Sequence, residues 1–393
     1  MKKHKEHINN RKIHLISFIS LLLGFSHALL LYVVSSFFKE ASGTENVGVF
    51  YFVANTIVLI GLLNMYKLIG KLGKTTVFLF FFFMQICLGA FLTISGPTWI
   101  GIIILMLLLI AVDLVWVSLD IILESYSTDK QSGRIRGLHL MIMNVGFLLG
   151  PLLSTHILEK YGFSALFFVS MLINMFIFII AILSLRKTSY DFRGQLTIKD
   201  LMKKIFVNRD LMNIYAVAFY LEFFYALMTI YTPLYLLDRG LGWDQIGIIF
   251  TIMLLPFVLI EYPAGIFADK KDGFEKKLIV VALCIMAIST LSIFFIQGNH
   301  IWIWATVLFV TRIGAALLEL LRDSYFYKKI DGRDVDIISF FRTARPVSYV
   351  VGAVVSAIAV AIGGVALVFV IVGAAALLII IPALKLSDNE CER

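Results

Sequence analysis

Charge is scarce in this sequence: Asp, Glu, Lys and Arg make up 15% of its 393 residues, while 60% are hydrophobic. A soluble domain carries about 25% charged residues, so this scarcity excludes an ordinary water-soluble chain and places the protein in a bilayer. Cysteine is rarer still. Cys87 and Cys284 fall inside apolar runs and Cys391 in the tail, without metal-ligand spacing or a disulfide pairing pattern. The phosphate-cradling pattern Gly-x4-Gly-Lys-Ser/Thr is absent, which leaves nothing to draw energy from a nucleotide. His27, His139, His156 and His300 are scattered, and no nucleophile sits with a base or metal set as an enzyme's site requires. The connections at Ser95–Pro97, Gln297–His300 and Gly363–Gly364 are too short to hold the soluble domain of a receptor. Neither enzyme nor receptor is therefore the expected class, and no cofactor or metal is expected.

What is present is a series of continuous apolar runs punctuated by Gly, Pro and charge. A spanning helix needs about 20 apolar residues, and the runs at 13–38, 46–66, 75–95, 98–123, 137–158, 162–185, 211–237, 245–268, 277–296, 301–324, 336–361 and 365–384 predict twelve of them. Continuous runs favour helices over an alternating barrel pattern, because backbone groups in lipid must be satisfied within their own segment. The basic start MKKHKEHINNRK leads into a run too long for a signal peptide, so it reads as an uncleaved first span. The formal net charge of +8 is topological rather than a sign of a nucleic-acid partner. Lys67, Lys71 and Lys74, Lys130, Arg134 and Arg136, the loop from Arg186 to Arg209, and Lys270 to Lys277 all fall on the side of the N-terminus. Only Lys39, Lys160 and Arg239 fall on the other. This asymmetry predicts both termini on the cytoplasmic side of the cell membrane.

The chain is also duplicated. At a constant offset of 199, Glu124 meets Asp323, Ser125-Tyr126 meets Ser324-Tyr325, Lys130 meets Lys329, and Gly133-Arg134 meets Gly332-Arg333. Phe25 with Phe224, Tyr32 with Tyr231, Gly48 with Gly247 and Lys71 with Lys270 keep the same gapless register. The expected organisation is a six-helix bundle over 1–185, a cytoplasmic linker over 186–210 and a second six-helix bundle over 211–393. In the linker Ile198, Leu201, Met202, Ile205 and Phe206 recur at helical spacing beside Lys199, Lys203 and Lys204. That pattern predicts a short helix lying on the membrane surface.

Two six-helix halves in parallel duplication, joined by a basic loop, resemble the major facilitator superfamily of secondary transporters along the whole chain. Local motifs agree. Gly265-Ile-Phe-Ala-Asp269-Lys270, then Gly273 and Lys276-Lys277, resembles the superfamily's signature between the second and third helix of a half, and Tyr66 to Lys74 is a worn first-half copy. Gly146-Phe-Leu-Leu-Gly150-Pro151-Leu-Leu-Ser154 is similar to the fifth-helix motif of its antiporters. The resemblance implies an all-α membrane protein of two pseudo-symmetric bundles, working as a monomer, with the first, fourth, seventh and tenth spans lining a central cavity. It also implies a gating latch in which Asp269, beside Lys270, pairs with Arg134 and Arg136.

Ionisable groups near a bilayer centre cost at least a few kcal/mol and are rarely kept without a partner or a wet cavity. The spans place His27, Asp113, Glu222 and Arg312 near the middle. Asp113 and Arg312 are repeat equivalents, so an acid and a base are expected on opposite walls. Asp120 and Glu124 follow Asp113 on one helical face, and Glu319 and Asp323 follow Arg312 at the same spacings. We expect Asp113, Glu222 and His27 to couple protons, and Arg312 to anchor an anionic substrate with Asp113 and Glu222 beside it. Asp120, Glu124, Glu319 and Asp323, with Glu261, Arg322, Arg342 and Arg345, are expected to form an inner gate. Glu222, Asp113 and Arg312 alternatively form a fixed ion pair that only holds helices together. The expected activity is proton-coupled transport of a small molecule by alternating access, with export slightly favoured. An uncoupled facilitator of a small anionic metabolite is the near alternative, and a membrane enzyme or receptor the distant one.

Overall fold

The structure, a computed structural model, describes residues 10–44, 46–124, 132–185, 208–270, 274–330 and 335–387, and among these all regular structure is helical. In chain order the helices are α1 (Asn10–Leu31), α2 (Val34–Ser42), α3 (Gly48–Leu72), α4 (Lys74–Ser95), α5 (Trp99–Glu124) and α6 (Ser132–Ser184). After the linker come α7 (Arg209–Asp238), α8 (Trp243–Lys270), α9 (Phe274–Ser292), α10 (Ile301–Lys329), α11 (Val335–Arg342) and α12 (Ala344–Leu384). The linker's surface-helix pattern, residues 198–206, lies outside the described residues.

Among the described residues, ten helical stretches are long and apolar enough to cross a membrane. The first joins α1 to α2 through a tight turn at Tyr32–Val33, where Val33 N–H donates to Leu30 O at 3.0 Å. Two others exceed any single crossing: α6 has 53 residues and α12 has 41. At 1.5 Å per residue each is far longer than the roughly 30 Å hydrocarbon core. Both are interrupted by glycine, at Gly162 (φ 75°, ψ −176°) and at Gly363–Gly364 (Gly364 φ 71°, ψ −174°). The positive φ at these breaks is a conformation that a residue with a Cβ adopts only with strain.

The packing follows the 199-residue register. The contact of α1 with α6 is matched by α7 with α12; α3 with α12 by α8 with α6; α4 with α5 by α9 with α10; and α4 with α6 by α9 with α12. Lys39 and Asp238, themselves 199 apart, form an ion pair at 3.4 Å, so the axis relating the repeats passes beside them. Close approach depends on glycine. A Cβ built on Gly146 would collide with the backbone oxygen of Leu21 in α1, and one on Gly150 with the Cβ of Ala28. With no hydrophobic drive between helices in lipid, such bare backbone faces are what let two helices interlock. The antiporter-like stretch thus serves as the seam between α6 and α1, and Pro151 lies within the helix there.

At the end of the molecule where α1–α2 and α7 finish, aromatic rings pack within each repeat. Phe37 meets Phe163 edge-on at 5.2 Å, Phe38 meets Tyr51 at 5.5 Å, and Tyr235 meets Phe369 at 5.1 Å. Around them, polar links join the two repeats. Besides Lys39–Asp238, the Asp244 backbone N–H donates to Glu159 Oε2 at 2.9 Å, and the Asp244 carboxylate lies 3.5 Å from His156.

Candidate functional site

A central cavity of about 270 Å³ opens between the repeats. Its charged lining comes from α5 (Asp113), α7 (Glu222), α10 (Arg312, Glu319, Arg322, Asp323), α11 (Arg342) and α12 (Arg345). Its apolar and aromatic walls include Trp116, Phe147, Tyr225, Phe257 and Tyr349. His27, Asp113, Glu222 and Arg312, expected from their depth alone, all line it. Glu319, Asp323, Arg322, Arg342 and Arg345, expected as a separate inner gate, line the same hollow.

The pairing differs from the one that helix position alone implies. Asp113 Oδ1 lies 3.2 Å from Nη2 of Arg345, and Glu222 Oε1 lies 2.9 Å from Nη2 of Arg322. Neither acid pairs with Arg312, so the alternative of a fixed Arg312 ion pair is corrected: the counter-charges come from Arg345 at the start of α12 and from Arg322 three turns along α10. Arg322 also donates from Nη1 to the Ala218 carbonyl at 3.3 Å and sits 3.4 Å from Asp323. Tyr225 donates its hydroxyl to Glu319 at 2.6 Å. Trp116 Nε1 donates to Nδ1 of His27 at 3.0 Å, so that nitrogen is an acceptor and the imidazole is neutral in this arrangement.

Arg312 is the exceptional group. It is 1% exposed, its guanidinium stacks over the Phe224 ring at 4.8 Å, and its Nη1 has no hydrogen-bond partner among the described residues. The repeat explains why. Asp113 is answered by Arg345, but the position 199 earlier than Arg345, which would answer Arg312, is Gly146. That glycine is committed to the α6–α1 seam, so Arg312, which meets the Tyr32 hydroxyl, has no carboxylate partner among the described residues. Burying a charge in this way is costly unless something arrives to meet it.

A smaller chamber of about 50 Å³ branches off beside Asp113 and Arg345, lined also by Ser26, His27, Asn55, Gln85 and Tyr349. At about 50 Å³ it exceeds the roughly 10–15 Å³ that admits a water, and Oε1 of buried Gln85 has no hydrogen-bond partner among the described residues.

Of the gating residues, Gly265 is buried near the end of α8. The side chains of Asp269, Lys270, Arg134, Arg136, Asp120 and Glu124, and Gly273 altogether, lie outside the described residues. Of the aromatics that the sequence offers as cavity lining, Phe224, Tyr225, Tyr231, Tyr235 and Trp116, the structure places Trp116 and Tyr225 in the wall, while Phe147, Phe257, Tyr349 and Asn144 carry no such signal in the sequence. The α10 pattern of Arg312, Glu319, Arg322 and Asp323 was the available signal.

A transmembrane helical bundle enclosing a charged hollow is the arrangement of a membrane transporter. The family model of the Major Facilitator Superfamily matches residues 16–318, and the chain belongs to that superfamily. It is a multi-pass membrane transporter. A comparison with curated proteins finds no match.

Proposed function

We propose that this protein is a proton-coupled secondary transporter of small amphipathic organic anions, working by alternating access around the central cavity. The observation that carries the reading is Arg312: a guanidinium without a carboxylate partner among the described residues, at the wall of an aromatic-lined hollow. A substrate carboxylate would supply the missing counter-charge while its apolar part meets Trp116, Phe147 and Phe257. The Asp113–Arg345 and Glu222–Arg322 pairs supply the switch. Protonating either carboxylate releases an arginine from its partner and changes the field that the anion meets. Asp113–Arg345 also bridges the two repeats, so breaking it loosens one against the other.

In the same reading the breaks at Gly162 and Gly363–Gly364 are reversals outside the hydrocarbon core, giving twelve spans in two six-helix bundles, 1–185 and 211–393, with both termini cytoplasmic. The end where Lys39–Asp238 and Glu159–Asp244 link the two repeats is then the outer face. Export is favoured, because the tight α6–α1 seam carries the antiporter-like stretch.

The test is reconstitution in liposomes loaded with a pH-sensitive dye, using a panel of aromatic carboxylates led by p-aminohippurate. Wild type is expected to move protons together with substrate. Asp113→Asn and Glu222→Gln should lose accumulation against a gradient while exchange persists. Undiminished accumulation in both variants would refute their coupling role, and substrate flux without proton flux would favour the uncoupled facilitator.

A further inference from the structure

Glu261, a carboxyl near the cavity, belongs to neither the anion site nor the two ion pairs. Glu261 lies on the inner half of α8 and is 0% exposed. Its partner is an amide: Asn144 Nδ2, on α6, reaches both carboxyl oxygens at 3.1 and 2.9 Å. No cation lies within ion-pair distance among the described residues. The charged groups facing it, Glu319 and Asp323 of α10, are both acidic. Across the α7 contact, Glu222 is already engaged by Arg322. Arg322 is likewise held by Glu222, Asp323 and the Ala218 carbonyl, so it is not available to Glu261.

Elementary electrostatics decides the state of such a group. An ionised carboxylate sealed from water costs far more than a single neutral amide can return, and two acidic neighbours add to the cost. Asn144 supplies a dipole but no charge. The group is therefore a carboxylic acid here, holding a proton with no route to solvent. Its position gives that proton a purpose. Asn144 belongs to the first repeat and Glu261 to the second, so their hydrogen bond spans the α6–α8 seam between the two halves. When the halves rock apart, that contact separates and water reaches the carboxyl, which then loses its proton to the water on that side. Once ionised it resists reburial until it takes a proton up again. The closed seam therefore forms only with the proton aboard.

We infer that Glu261 carries the transported proton, and that Asn144 is the positioning residue that seals it across the seam. The inference rests on the proton-coupled reading above and adds to it the group that holds the proton in the closed arrangement. Asp113 and Glu222, paired with arginines, then sense the proton's arrival rather than store it.

The test requires no substrate. Infrared spectra of the purified full-length protein in lipid nanodiscs at neutral pH are expected to show the C=O stretch of a protonated carboxylic acid, absent from Glu261→Gln. In Asn144→Ala, where Glu261 is intact, the band should remain but shift, because its hydrogen-bond donor has gone; this keeps the test valid should Glu261→Gln fail to fold. In D2O the wild-type band should move as the seam opens and the acid exchanges. Identical spectra for wild type and Glu261→Gln would overturn the inference, as would a band that never exchanges, the mark of a permanently sealed structural acid. A missing band in a wild type that does move protons counts against Glu261 alone. A band in place without proton flux in liposomes counts against the coupled reading, and with it the carrier role.

Discussion

Replacing Arg322 with methionine is expected to lower folding stability by about 3–5 kcal/mol, the usual cost of stranding the partner of a buried ion pair. Its guanidinium holds Glu222 at 2.9 Å and Asp323 at 3.4 Å, with the Arg322 and Glu222 side chains only 9% and 14% exposed. Removing it leaves two carboxylates without compensation in a low-dielectric seam, beside a third at Glu319. Thermal unfolding of the purified protein, followed by intrinsic tryptophan fluorescence, measures the loss. Combining Arg322→Met with Glu222→Leu should recover part of it, because the stranded charge goes with its partner. The double-mutant cycle then isolates the pair. A single variant that melts with wild type would show that the pair contributes nothing to the fold.

Arg312→Gln should behave in the opposite way. Among the described residues it has no carboxylate to strand, so its removal relieves a desolvation cost, and the lost contact with Phe224 returns only about 0.5–2 kcal/mol. The melting temperature is expected to stay level or rise. Transport of carboxylate substrates should fall by about 100-fold, the equivalent of roughly 2.7 kcal/mol and within the range for losing one partner of a buried charge-assisted contact. Arg312→Lys keeps the charge but not the planar fork, and should retain an intermediate rate. Initial uptake rates at low substrate, set against melting temperatures, separate the two arginines. Unchanged rates in Arg312→Gln would remove the anion-anchoring role.

The parts of this architecture that follow from chain-local physics were legible in the sequence. Apolar runs mark the helices because backbone groups in lipid have no other solution, and the 199-residue register marks the correspondence between the two halves. Asp113, Glu222 and Arg312 stand out because a charge in a spanning helix has few reasons to persist. What could not be read was pairing, since it depends on helix rotation and tilt. Arg345 sits in the first turn of α12, yet it reaches Asp113. Arg322, adjacent to Asp323 in sequence, turns across to Glu222 on α7. Glu261 and Asn144 are 117 positions apart and obey no repeat relation, because the equivalent of Glu261 is Leu62. The break at Tyr32–Val33 carries neither glycine nor proline, so nothing in the local pattern announces it. The aromatic walls shared their composition with the lipid-facing surface, and only the fold distinguishes Trp116 and Phe147, which line the cavity, from Phe83 and Trp302, which are exposed on the outside.

Each functional step depends on water and substrate reaching the residues that line the central hollow. Single cysteines at Trp116, Phe147, Tyr225 and Thr229, in a background without Cys87, Cys284 and Cys391, can be challenged in membranes with a charged, water-soluble thiol reagent. Controls at Phe83 and Ile103 report on the lipid-facing surface. The account predicts that the first set reacts, more slowly once an organic anion is bound, and that the controls stay unreactive. Cavity positions as inert as the lipid-facing controls would mean a dry packing seam, and the transport mechanism built on Arg312, Asp113 and Glu222 would be wrong.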